Sequence, residues 1–153
     1  MLTTRTTARI LSLLPLSLIA ACGNAVDVDS LQDNVARHRA LWDQAGVGSY
    51  RFDFLRSCLC QGIEPVTIEV TNDIIVSVIN RNTEEILPAE EFTFYVTVDD
   101  LFDAVQDAIQ QHVYSVEASF DPVLGYPTRI LIDPGRFVSH DEVTMLTSSL
   151  QPL

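Results

Sequence analysis

Between Ser49 and Arg81 the chain alternates apolar and polar residues three times in succession, and no other feature limits its fold as tightly. The segment SYRFDFLRS sets Tyr50, Phe52 and Phe54 against Arg51, Asp53 and Leu55. PVTIEVTN sets Val66, Ile68 and Val70 against Thr67, Glu69 and Thr71, and DIIVSVINR continues after a turn at Asn72-Asp73. A period of two sends alternate side chains to opposite faces, so each segment reads as a strand with one buried face. The connections are too short for parallel crossovers, which predicts antiparallel pairing.

The buried face of such a sheet needs a cover, and two amphipathic segments supply it. SLQDNVARHRALWDQAG predicts a helix capped by Ser30, with Leu31, Val35, His38, Leu41, Trp42 and Ala45 at helical spacing and Gly46 as its stop. TVDDLFDAVQDAIQQH predicts a second, with Thr97 and Asp100 in capping-box positions and Val98, Leu101, Phe102, Val105, Ala108 and Ile109 as its apolar stripe. Asn80 to Glu91, polar and acidic around Pro88, reads as a loop. After the second helix come VYSVEASFD, the loop DPVLGYP, the strand TRILID, the turn DPGR and a last apolar stretch in DEVTMLTSSL.

A shift of 64 residues lays Tyr50 on Tyr114, Val66 on Ile130, Ile68 on Ile132 and Glu69 on Asp133. Both halves then run helix, strand, strand, strand, as in a duplicated αβββ unit. The fold class is therefore α+β: an antiparallel sheet covered on one face by two helices.

The N-terminus carries different information. Arg5 and Arg9 precede a mostly apolar run from Ile10 to Ala21, too short for a membrane-spanning helix and of the length of a signal peptide's apolar core. Ile19-Ala20-Ala21-Cys22 resembles the lipobox of bacterial lipoproteins, in which the peptidase cuts before the cysteine that receives the lipid. The resemblance implies a signal peptide at 1–21, acylation of Cys22 with chains such as palmitate, a tether at 22–29, and a single domain at 30–153. More than one acyl chain gives lasting membrane attachment. Gly23, where an aspartate would retain a lipoprotein at the inner membrane, implies the periplasmic side of an outer membrane in a cell that has one.

All nine basic residues are arginines and two of them precede Cys22, whereas all 21 acids follow it. The chain from Cys22 onward thus holds seven arginines against 21 acids, a net charge of −14 at neutral pH. Such a surface repels nucleic acid and anionic lipid, and neither is expected as a partner.

With Cys22 assigned to lipid, two thiols remain, in Ser57-Cys58-Leu59-Cys60-Gln61-Gly62. In an oxidising envelope Cys58 and Cys60 are expected to pair at the end of the first strand, where a local bend lets residues two apart meet. A ring this small gains little loop-closure entropy, so thiol exchange and metal binding stand beside the structural disulfide as readings. The flanks lack CxxC spacing and a thioredoxin-like βαβ context. His38, His112 and His140 are the only histidines, and none stands at a ligand spacing from the cysteines; His38 lies on an apolar helical stripe and reads as a core residue.

Other clusters point weakly to chemistry. His140-Asp141-Glu142 with Asp121 and Asp133 could gather a cation, but aspartates at Asp-Pro turns and strand ends ordinarily bond backbone amides. GVGSY around Ser49 is a helix exit into a strand, and no nucleophile-elbow, SxxK or glycine-rich phosphate motif occurs. Trp42, Tyr50, Tyr114 and Tyr126 read as core aromatics, with a pocket under the helices as the other reading, and Tyr126-Pro127 is a candidate cis bond.

Taken together, the lipobox, the helix with Trp42, the Tyr50 strand leading to Cys58-x-Cys60, TVDDLFDAV (Thr97 to Val105) and SFDPVLGYPTRILID (Ser119 to Asp133) followed by Asp141-Glu142 resemble bacterial lipoproteins grouped as domain of unknown function 6174. Asn72-Asp73 stands where that pattern has Asp-Gly. The resemblance implies export and fold but no mechanism, cofactor or catalytic residue. The reading is a lipid-anchored, non-enzymatic envelope domain, attached to the membrane through Cys22, that binds an envelope protein or component through its sheet or loops. A thiol-active protein using Cys58 and Cys60 and a small-ligand binder are the alternatives.

Overall fold

The computed structural model describes residues 28–58, 63–138 and 140–153. Helix α1 (Val28–Ala45) leads into strands β1 (Ser49–Ser57), β2 (Ile63–Thr71) and β3 (Ile74–Asn80). Helix α2 (Val98–Gln110) then leads into β4 (Ser115–Phe120), β5 (Pro127–Asp133) and β6 (Val143–Pro152). The six strands form one antiparallel sheet in the order β3-β2-β1-β6-β5-β4.

Each unit is thus a meander behind a helix, and the two units are joined where the first strand of one pairs with the third strand of the other. β1 and β6 run antiparallel from Ser57↔Thr144 to Tyr50↔Pro152. The shift of 64 residues holds for the first two strands of each unit, because β2 at 63–71 maps onto β5 at 127–133.

The alternation in the sequence sets which face is dry. Tyr50, Phe52, Phe54, Val66, Ile68, Val70 and Val78 are all buried, and they meet Leu31, Val35 and Trp42 of α1 and Val98, Leu101, Phe102, Val105 and Ala108 of α2. Trp42 stands edge-on to Tyr50 at 5.2 Å between ring centroids. β1 and β2 bury alternate side chains on one face, and both helices pack there, leaving the other face to solvent.

Three local expectations are corrected. Ser30 does not cap α1, which begins at Val28 and so places Ser30 inside its first turn. The amides of that turn have no intrahelical partner, so a small polar residue is tolerated there. The segment from Asn80 to Glu91 is more ordered than a plain loop: Ile86 bridges Ile79, and a 3-10 helix spans Ala89–Phe94 behind Pro88. The Tyr126-Pro127 bond is trans. In α2, by contrast, the expected capping box is present, with Thr97 and Asp100 each satisfying the other's backbone amide.

Candidate binding surface

The uncovered sheet face is built from the polar phase of the same alternation. Arg51 and Asp53 of β1 lie between Thr67 and Glu69 of β2 on one side and Gln151 and Ser148 of β6 on the other. Thr67 Oγ1 donates to Asp53 Oδ1 at 2.8 Å, and Arg81 reaches Asp53 Oδ2 at 3.4 Å from the end of β3. Arg51 Nε and Nη2 both donate to Gln151 Oε1, at 3.2 and 2.8 Å.

Between these groups runs a groove of about 430 Å³ lined by Arg51, Asp53, Thr67, Arg81, Ser149 and Gln151. Its shape depends on β6, where Ser149 adopts φ 56° as the β1–β6 register shifts between Arg51 and Asp53. An extra residue on one strand bends it and re-aims its side chains. Farther along the same face Leu55 pairs with Leu146, which is 38% exposed, and Arg129 pairs with Leu146 from β5. The face therefore offers a polar groove of both charges beside an apolar patch.

On the helix side a smaller cleft of about 290 Å³ is lined by Trp42, Asp43, Gly48, Asp73 and Asp99. Burial raises the Asp99 carboxyl above its ordinary pKa, Asp73, Asp43 and Asp103 add to the rise, and Arg39 opposes it from 3.7 Å. Arg39 also donates to Asp103 Oδ1 at 2.6 Å, and that hydrogen bond raises its own pKa.

Of the residues singled out in the sequence, Cys22 and Cys60 lie outside the described residues, and Cys58 immediately follows β1. The three histidines are not brought together. His38 Nδ1 lies 2.9 Å from the Asn34 carbonyl and its ring stacks on Phe120, so it is a packed helix residue, while His112 Nδ1 meets the Gln110 carbonyl. Asp121 accepts the amides of Val123 and Leu124 and Asp133 accepts that of Gly135, at opposite ends of β5. They serve turns, and among the described residues no group of three His, Cys, Asp or Glu is placed to hold a metal.

Trp42, Tyr50 and Tyr126 are core aromatics as expected, but Tyr114 is 53% exposed. It lies just before β4 rather than within a strand, and its exposed ring carries the Arg136 guanidinium, so its apparent equivalence to Tyr50 fails. The Arg51, Asp53 and Arg81 cluster was missed. Its signal was present in the polar phase of β1 and β2, but nothing local showed that Gln151 and Ser149 would flank it.

No helix among the described residues is long and apolar enough to cross a membrane. Among known proteins, no curated protein and no solved structure matches this chain. The model of the Family of unknown function (DUF6174) matches residues 34–152, from the middle of α1 to the end of β6. That match takes in the later part of α1, all of α2, all six strands and every residue of the groove, and the chain belongs to this family.

Proposed function

We propose that this protein is a lipid-anchored lipoprotein of the bacterial cell envelope, acylated at Cys22, whose domain acts by binding rather than by catalysis. The partner is an envelope protein or component that docks on the uncovered sheet face. The observation that carries this reading is the groove on that face, where the Arg81 side chain is 49% exposed and guanidinium, carboxylate and hydroxyl groups converge. Rigid strands hold these groups in place, and their partly exposed donors and acceptors can exchange water for a partner's polar groups. The lipobox-like Ile19-Ala20-Ala21-Cys22 supports the anchor.

The test is photocrosslinking in cells with a reactive side chain introduced at Ser148 on the open face or at Arg37 on the outer surface of α1. Discrete adducts from Ser148 alone support the reading; matching adduct patterns from both positions, or none from Ser148, refute it. The redox potential of Cys58 and Cys60 decides against the thiol-active alternative if it lies below about −300 mV, and for it if it lies near about −200 mV with fast exchange.

A further inference from the structure

The end of the domain from which the N-terminal tether departs also carries its most exposed large apolar side chain among the described residues, Phe137. Ser57↔Thr144 and Ser115↔Asp133 place the end of β1, the start of β6, the end of β5 and the start of β4 together. α2 ends there, just before β4. α1 runs antiparallel to α2: Arg39 meets Asp99 and Asp103, while Gln32 and Val35 share a groove with Ile109, Gln110 and His112. The start of α1 therefore lies at this same end.

Here Phe137 is 92% exposed, Val138 59% and Tyr114 53%. The Arg136 guanidinium sits 5.7 Å from the centroids of both the Tyr114 and Phe137 rings. Two aromatic rings and a valine around one arginine, held on a tight turn closed by the Val138 amide on the Gly135 carbonyl, suit a membrane–water boundary. There Phe and Val enter the acyl region, Tyr lies among the headgroups and the arginine reaches back to phosphate.

We infer that Phe137, Val138, Arg136 and Tyr114 form a second membrane contact, seated in the interface of the bilayer to which the chain is anchored. The inference rests on the acylation of Cys22 proposed above. Five residues lie between Cys22 and Val28, and the six steps from one to the other reach at most about 20 Å, so an acylated chain keeps this end beside the bilayer. Asp141 and Glu142 follow on the same connection, and the net charge is strongly negative, so the matching surface is zwitterionic lipid.

The experiment uses the full chain purified from membranes and reconstituted in phosphatidylcholine vesicles whose acyl chains are brominated. A Phe137→Trp variant reports on the patch, and Val123→Trp, 77% exposed in the turn at the other end of β4 and β5, is the control. Buried Trp42 contributes the same background to both. Blue-shifted emission and stronger quenching for Phe137→Trp than for Val123→Trp uphold the contact, and Arg136→Ser combined with Val138→Ser should reduce both effects. Equal quenching in protein whose intact mass shows the lipid overturns the contact and leaves the anchor standing. Protein lacking the lipid removes the anchor reading; vesicles added to it then uphold the contact by selective quenching or overturn it by none.

Discussion

The phenolic oxygen of Tyr50 accepts the amide N–H of Val98 at 3.0 Å, and both residues are fully buried. Val98 is the first residue of α2, so its amide has no partner within the helix. Thr97 caps the Asp100 amide, and Tyr50, reaching across from β1, takes that of Val98. The second unit's helix is thus seated on the first unit's strand.

Tyr50→Phe should leave a buried donor unpaired and cost about 1–3 kcal/mol in urea denaturation at neutral pH. Burial pushes the Tyr50 phenol far above its ordinary pKa, against the opposing Val98 hydrogen bond. The unfolded chain releases that proton near about pH 10, so the folded state binds more protons above that pH and stability falls as pH rises. The alkaline decline should be shallower in the variant; an unchanged slope would refute this origin.

Asp99 has the corresponding effect in acid. Its folded pKa is raised, chiefly by burial, so the folded state holds the proton after the unfolded state has released it near about pH 3.9. Stability therefore falls as pH rises through the window between the two values. Asp99→Asn should remove that decline and be no less stable than the wild type at pH 7. A lower urea midpoint at pH 7 would mean that the Arg39 pairing outweighs burial.

Gly125 and Gly46 both have positive φ, at 85° and 62°, yet only Gly125 is packed against backbone. A Cβ on Gly125 would lie 2.3 Å from the His38 carbonyl oxygen and 3.1 Å from the Trp42 nitrogen, whereas one on Gly46 meets nothing within 4 Å. Gly46→Ala should cost about 1–2 kcal/mol from backbone strain alone. Gly125→Ala must also separate the β4–β5 turn from α1 and should cost about 3 kcal/mol or more. Thermal unfolding of the two variants side by side checks the order.

β3 is an edge strand without a charged residue, and its Ile74 and Val76 are 67% and 48% exposed. Its far end is covered where the Leu87 amide bonds the Val78 carbonyl. An open, β-branched edge favours pairing between molecules, and a charge there opposes it. Ile74→Lys should change stability by no more than about 0.5 kcal/mol and slow aggregation at high concentration, as light scattering would show. Unchanged aggregation would assign the process to another surface.

Local periodicity in the sequence determined the faces of β1 and β2 and the buried stripe of α2. Thr97 and Asp100 marked where α2 begins, because a capping box satisfies its amides with residues three apart. A family match from residue 34 to 152 likewise rests on sequence. The order of the sheet was decided elsewhere. β6, legible only as a last apolar stretch, occupies a central place between β1 and β5, and its pairing with β1 joins residues about a hundred positions apart. That pairing creates the groove by bringing Ser149 and Gln151 beside Arg51. Alternation says which way a side chain points but not which strand lies next to it; that depends on how two helices and six strands jointly bury one apolar face. Tyr114 obeys the same limit, since its spacing matched Tyr50 while its ring, just before β4, is half exposed.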